Sequence, residues 1–422
     1  NLGQMLDTVE RSPALRQLRL RLPMEKLASA LEAAGRFEAL GLSPAEGRVL
    51  LEAFYRKNGL DISGPAPAFA GDLSDDLVPH YRAGREFDPL NAVLMRWPWD
   101  WGAVLNDEYA VMVDEIIASG AIPKIWVDSR LRKILAAFYL LRQGVDLRRI
   151  EWIIEDTDSV WMRDYGPQHI YDPYSTNWGV VDFHYYRNRP DDDDTPLEVA
   201  DMNGVFTVDR QYLRALFTEG GNLNTDGEGT VFYSARTYDN NWWLPRVVVD
   251  RRITSALSSP NNIVLQGPTL DATGHVDMFM KIVNPDTVLV AQYDPDETDY
   301  QILEDDAALV AASSSGQGKP WNVKRIRQPD VYYVDFVYPV VRTYTNSLIV
   351  NDRVIVPTYG IPDDADALAV YAEVFPDKTI VPLNANDIIE HGGAWHCVTL
   401  EFPEPGTAHQ QAVSTGARPI LR

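Results

Sequence analysis

The 422-residue chain carries one cysteine, Cys397, in the stretch HGGAWHCVTL at 391–400. A lone thiol closes no internal disulfide, so it serves either packing or chemistry, and its surroundings decide which. Four other stretches set polar groups beside permissive turns. DSVWMRDYGP (158–167) brings Trp161, Arg163 and Asp164 up to a Gly-Pro turn, and EGGNLNTDGEG (219–229) opens on Glu219 and a glycine pair. TGHVDMFMK (273–281) separates His275 from Asp277 by one residue, and TYTNSLIV (343–350) contributes Asn346. On a strand, His275 and Asp277 would line one face about 7 Å apart, a base beside a carboxylate. The pairs Gly220–Gly221 and Gly392–Gly393 let the backbone come close to a ligand.

A thiol, a histidine, acids and an amide narrow the chemistry. The chain shows no serine-hydrolase elbow, phosphate-cradling loop or zinc-spaced cysteine pair. His391 and His396 flank the thiol, but a metal centre wants more soft or imidazole ligands at close spacing. Acids around a thiolate would repel the oxyanion that develops from an ester or amide. They suit a guanidinium, a planar cation whose donors pair with carboxylates and whose central carbon can then be held for attack by sulfur.

These residues must be positioned by a scaffold, and its texture changes along the chain. Residues 1–60 read as helices, with Ser43 as a cap and Pro44 at the first helical position, and 59–76 reads as a linker rich in Gly, Pro and Asp. From about residue 88 short apolar strands alternate with amphipathic helices: NAVLMRW, KIWVD and EWIIED as strands, DEYAVMVDEIIASG and RLRKILAAFYLLRQG as helices. TDGEGTVFYSA, NPDTVLVAQY and NDRVIVPTYG each put an acidic turn before an apolar strand and a helix after it. This echo fits repeated units packed radially or an ordinary mixed sheet. The run DDDD (191–194) lacks the Gly and final Glu of a calcium loop and reads as a solvated loop.

Composition bounds the partners. With 38 basic and 61 acidic residues the net charge is -23, which argues against a nucleic-acid partner and fits solubility or a cationic substrate. No apolar run approaches the roughly 18 residues of a membrane span. A chain opening at Asn1 rather than Met would have had any leader trimmed or left out.

In order along the chain, WMRDYGP, EGGN, GHVD, YTNSLIVN and GGAWHC resemble the motifs of the guanidino-group-modifying enzymes, over roughly residues 90–405. The likeness is to the bacterial peptidylarginine deiminase branch, itself similar to agmatine deiminases. It implies an α/β fold, the five-bladed α/β propeller called the pentein fold, over residues 86–422, with residues 1–85 as a helical extension and linker. It implies Cys397 as nucleophile, His275 as general acid/base, Asp277 and Asp164 as guanidinium clamp, and Glu219 as the acid orienting the histidine. Asn346 would sit beside the nucleophile, and Trp161 would wall the substrate's stem. HGGAWHC differs from the three glycines and Asn-Ile pair of agmatine deiminases, and Met278 stands where they carry Asn. Both departures resemble the peptidylarginine branch, as does YYRNRPDDD (185–193), whose Arg187 or Arg189 would hold a peptide's C-terminal carboxylate.

The implied reaction converts peptidyl arginine to peptidyl citrulline and ammonia through a covalent thiouronium, with no metal or organic cofactor. The substrate would be an arginine-containing peptide or protein, and the compartment the exterior or periplasm. The alternatives are a cytoplasmic deiminase of agmatine or another small guanidine, an amidinotransferase, and a non-catalytic binder of arginine peptides.

Overall fold

Apolar segments bounded by turns become strands here, and the stretches with helical spacing become the helices between them. The computed structural model describes residues 81–403 apart from 173–176, 209–215 and 335–337, together with Ser43, Pro44, Ala45 and Arg48. Pro44, Ala45 and Arg48 are helical. The remainder of the expected N-terminal helices and the whole 59–76 linker lie outside the described residues.

Strands Leu90–Arg96, Ile122–Val127 and Glu151–Ile154 pair in parallel, with helices Asn106–Ala118 and Arg130–Arg142 between them. The second helix starts at Ser129, whose side chain accepts the Arg132 N–H, so a terminal donor of the helix is satisfied. The first strand is buried at every position but Asn91, the near-continuous apolar pattern of a strand covered on both faces.

One plan recurs in five sheets. A central strand pairs antiparallel with one strand and parallel with another that follows it across a helix. The central strands are Leu90–Arg96, Trp178–Val181, Thr230–Ser234, Thr287–Gln292 and Arg353–Thr358. Their antiparallel partners are Thr399–Pro403, Gln168–Tyr171, Asn224–Thr225, Met280–Asn284 and Leu348–Val350. Their parallel partners are Ile122–Val127, Phe206–Val208, Asn261–Leu265, Asn322–Arg327 and Thr379–Asn384. The three sequence echoes are the last three central strands. The last strand of the described chain, Thr399–Pro403, pairs with its first long strand and ties the two ends together. Arg82–Ala83 pairs with Gln168–Tyr171, so the folded body takes in residues ahead of 86.

Each polar stretch sits at the same point of this plan, in the turn just before the antiparallel strand. Asp164 precedes Gln168–Tyr171, Glu219 precedes Asn224–Thr225, and Asp277 precedes Met280–Asn284. Asn346 precedes Leu348–Val350, and Cys397 precedes Thr399–Pro403.

Two local expectations change. His275 and Asp277 are not on a strand: His275 is extended and Asp277 lies in the short 3-10 turn Val276–Met278. The run 191–194 is not a solvated loop but opens the helix Pro190–Asn203, with Pro190 in its first turn. Asp192 is fully buried, accepting the N–H groups of Asp158 and Ser159 and the Ser159 hydroxyl, and Asp193 accepts the Tyr185 N–H at 2.6 Å. Backbone donors from distant segments use these carboxylates as partners, which draws them inward. Among the described residues no helix is long and apolar enough to cross a membrane.

The loop carrying Asn346 is pinned on three sides. Thr343 Oγ1 donates to the Met278 carbonyl at 2.7 Å, Tyr359 Oη to the Thr343 carbonyl at 2.8 Å, and Tyr371 Oη to the Tyr344 carbonyl at 2.7 Å. Tyr371→Phe leaves that buried carbonyl without its donor and should cost about 1–3 kcal/mol of unfolding free energy. Urea denaturation measures it.

Candidate active site

The turn holding Cys397 is built around an amide. Asn346 Oδ1 accepts the backbone N–H of Ala394 at 3.0 Å and of Cys397 at 3.3 Å. Its Nδ2 donates to Cys397 Sγ at 3.1 Å. One side chain thus fixes the loop and points a donor at the sulfur. The Cys397 carbonyl in turn accepts the Arg163 N–H at 3.1 Å, which draws the helical turn Met162–Tyr165, and with it Asp164, against the thiol loop.

His275 and Asp277 arrive from a turn held by Asp271 and Asn222. Asp271 accepts the N–H groups of Thr273 and Gly274. Asn222 Oδ1 accepts the N–H groups of Ser234 and Val276. Asn222, the fourth residue of EGGN, therefore ties the Glu219 turn to the His275 turn; the motif's last letter was its only signal in the sequence.

The result is a cluster of charges with almost no exposure. His275 Nε2 lies 3.1 Å from Glu219 Oε2 and its Nδ1 lies 3.4 Å from Asp164 Oδ1. Cys397 Sγ is 3.7 Å from Asp277 Oδ2. Asp277 Oδ1 has no hydrogen-bond partner among the described residues, although Asp277 is 1% exposed. Both glycine pairs lie where the sequence required close approach. A Cβ on Gly221 would stand 2.7 Å from His275 Nδ1, 2.8 Å from Asp164 Oδ1 and 3.0 Å from Asp277 Oδ2. One on Gly393 would stand 2.7 Å from Cys397 Sγ and 2.8 Å from the Trp161 ring. The structure thus brings together Cys397, His275, Asp277, Asp164, Asn346, Glu219 and Trp161.

Arg187 and Arg189 are not part of this cluster. Arg187 is exposed, and the Arg189 guanidinium lies 3.1 Å from Tyr185 Oη and 3.4 Å from Ser159 Oγ, over the Tyr186 ring. Sequence reasoning also missed part of the aromatic wall. Trp101 meets Trp161 edge-on at 5.4 Å, and His391 stacks on Trp101 at 4.4 Å.

A second layer of charge stands behind Asp277. His396 Nδ1 lies 2.7 Å from Asp277 Oδ2 and its Nε2 lies 3.0 Å from Glu86 Oε1. Lys281 Nζ pairs with Glu86 at 2.5 Å, and Arg163 pairs with Glu401 and faces Glu86 at 3.9 Å. Among the described residues two trios have ligand atoms close enough for a metal, Asp164/Glu219/His275 and Glu86/His396/Glu401. The second already has Lys281 and Arg163 as counter-charges, and in the first the His275 imidazole lies between the two acids. A cavity of about 40 Å³ is lined by Glu86, Arg163 and Glu401 among others, and Cys397 is not part of its lining.

The electrostatics follow from burial. Burial pushes the Cys397 thiol well above its ordinary value, Asp277 and Asp164 push it further, and the Asn346 donor pulls it partly back. Burial alone would lower the His275 pKa, but Asp164 and Glu219 outweigh it and hold the imidazole well above the usual range. The arrangement places a buried imidazole and a buried thiol beside the carboxylates of Asp164, Glu219 and Asp277.

Residues 82–403 match the family model of the Porphyromonas-type peptidyl-arginine deiminases. The chain is 26% identical over 360 residues to the agmatine deiminase of Stutzerimonas stutzeri, covering 77% of this chain and 96% of that protein. It is 29% identical over 302 residues to the agmatine deiminase of Pseudomonas aeruginosa, covering 63% and 80%. Among solved structures, the agmatine deiminase of Enterococcus faecalis superposes with a TM-score of 0.67 at 22% identity, covering 77% of this chain and 96% of that one. That likeness shows a shared fold of mixed α/β sheets.

Gly393→Ala should leave the fold intact and lower kcat/KM about 100-fold, because a methyl there forces the sulfur or Trp161 to move. Steady-state kinetics beside a thermal melt check it. Stability should also fall as pH rises. The thiol and the imidazole both have raised folded-state values, so their contribution is complete below the unfolded values and is lost as pH rises through the folded ones. Melting temperature should begin to fall above about pH 6.5, where an unfolded imidazole gives up its proton, and fall further above about pH 8.5, where an unfolded thiol ionises; the second fall should be less steep in Cys397→Ala.

Proposed function

The chain belongs to the Porphyromonas-type peptidyl-arginine deiminase family, and we propose that it hydrolyses a small free guanidine of the agmatine type. It is an arginine/guanidine deiminase, a hydrolase acting on amidine C–N bonds. The observation that carries the site assignment is the Asp277 carboxylate, whose Oδ2 faces Cys397 while its buried Oδ1 has no hydrogen-bond partner among the described residues. An acceptor in that state costs about 1–3 kcal/mol until a donor reaches it, and a guanidinium N–H is a donor that also brings its carbon to the sulfur. The five sheets are read as the five blades of a propeller, with the cluster where their turns converge.

The roles follow from placement. Asp277 and Asp164 accept the guanidinium N–H groups and hold its plane. The substrate's positive charge offsets the two carboxylates that oppose the thiolate, so Cys397 ionises as the cation arrives and its proton passes to water. Sγ attacks the central carbon and forms a C–S bond. His275 gives its proton to one nitrogen, that C–N bond breaks, and ammonia leaves a thiouronium. Water then attacks the same carbon and His275 takes its proton. The C–S bond breaks, the thiolate is restored, and a ureido product leaves. Glu219 holds the imidazole throughout, and Trp161 covers the aliphatic stem. No step calls for a metal or an organic cofactor.

The relatives named above support a small substrate, and a cytoplasmic setting goes with that reading. The peptidyl reading, with citrulline as product, draws on the family's own description and on Arg189. Its guanidinium reaches Ser159, two residues before Trp161, and could meet a C-terminal carboxylate there.

Ammonia release from agmatine, free arginine and a peptide ending in arginine separates the readings. Agmatine should show the highest kcat/KM, and Cys397→Ala should abolish turnover of it while keeping the fold. A faster peptide overturns the small-substrate reading, and full activity in Cys397→Ala overturns the nucleophile.

A further inference from the structure

The buried charges behind Asp277 have no part in the steps above, yet they touch the clamp directly. Their spacing is one of alternation. Asp277 Oδ2 meets His396 Nδ1 at 2.7 Å, His396 Nε2 meets Glu86 Oε1 at 3.0 Å, and Glu86 Oε2 meets Lys281 Nζ at 2.5 Å. Arg163 closes the cluster on its far side, bound to Glu401 and with its Nε 3.4 Å from the His396 carbonyl. Asp277, His396 and Lys281 are each no more than 1% exposed, and Glu401 is 5% exposed. A ring that faces a carboxylate on each side suits both when it carries a proton on each nitrogen. Burial would raise the Glu86 carboxyl, but His396, Lys281 and Arg163 hold it well below the ordinary range, so the acid behind His396 is an anion.

We propose that His396, braced by Glu86, is the positioning residue for Asp277: it engages Oδ2, leaves Oδ1 for the substrate guanidinium, and sets a positive charge beside the carboxylate oxygen that faces the thiol. This rests on the guanidine-hydrolase reading for the role of Oδ1. Its electrostatic half does not, because Oδ2 stands 3.7 Å from Sγ whatever the substrate. Without a cation on Oδ2, the carboxylate nearest the sulfur acts on it at full charge. It is also free to turn, so that either oxygen can be spent on the wrong partner. The groups facing His396 are Asp277, Glu86, Glu401 and Arg163, with Lys281 acting through Glu86 and Cys397 next in the chain.

The test uses the full chain, and its one thiol makes labelling unambiguous. The rate of Cys397 alkylation by iodoacetamide is followed against pH in wild type, His396→Ala and His396→Asn, with thermal melts to confirm folding. Loss of the neighbouring positive charge should move the labelling midpoint up by about one pH unit in both variants. With agmatine, His396→Ala should lower kcat about 100-fold and raise KM as well, since the loss falls both on thiolate attack and on the clamp carboxylate left free to turn. His396→Asn keeps an amide N–H near the place of Nδ1 and should recover about tenfold of that loss by restoring the orientation of Asp277 without its charge. A residue that only packs would leave the labelling profile unmoved and would make Asn no better than Ala; either result in a folded variant overturns the inference. Failure of both variants to fold also overturns it, because the ring would then serve stability. Labelling needs no substrate, so a shifted profile with no turnover of agmatine upholds the electrostatic role and counts only against the substrate reading.

Discussion

Too much negative charge in too little space is the constraint on which this site depends. Asp164, Asp277, Glu219 and the Cys397 sulfur converge with almost no exposure to water. In a medium of low dielectric such a group is costly unless opposite charge stands within a few ångströms. The protein supplies part of it. His275 sits between Asp164 and Glu219, and His396, Lys281 and Arg163 stand among Asp277, Glu86 and Glu401. What these do not offset is the thiolate and one buried carboxylate oxygen. On the reaction proposed above a guanidinium would answer both, and binding and activation of the sulfur would be one electrostatic event rather than two.

The same constraint explains the backbone. Charged side chains can converge on one point only if no main-chain Cβ occupies it. Gly221 and Gly393 provide that room from opposite turns: the first beside His275, Asp164 and Asp277, the second beside Cys397 and Trp161. The hydrogen bonds of Asn346 and Asn222 then set the turns themselves. Amides serve well here because each offers donor and acceptor without adding charge to a place already crowded with it.

The sequence made the front of the site legible and left the back unread, for a physical reason. Cys397, His275, Asp277, Asp164, Glu219 and Asn346 each lie beside Gly or in a short polar motif, and each motif precedes a strand of the repeated plan. Glu86 and His396 meet across a separation that no local pattern records, and Lys281 stands 195 residues from the acid it pairs with. Local pattern also misled. His-x-Asp has the spacing of a strand, but Asp271 accepts two N–H groups ahead of it and fixes a turn instead. Four consecutive acids look solvated until Asp158, Ser159 and Tyr185 are seen to present backbone N–H groups to Asp192 and Asp193. Partners distant in sequence override the preference of a run, as tertiary contacts override propensity in general.

Repetition of scaffold and divergence of chemistry fit together in this arrangement. The five sheets share one strand plan, and each delivers its turn at the same step, so a common frame brings five loops to one cluster. The loops do not repeat: one carries a thiol, one an amide, one a histidine and an acid, one an acid with glycines, one a tryptophan and an acid. A change of loop residue alters the site without asking the sheet to repack. The exception is a residue such as Arg163, which belongs to a site turn yet ties Glu401 of the strand Thr399–Pro403 and the Cys397 carbonyl together. Through it the closure of the fold, where the last strand pairs with the first long one, and the placement of Cys397 become the same set of contacts.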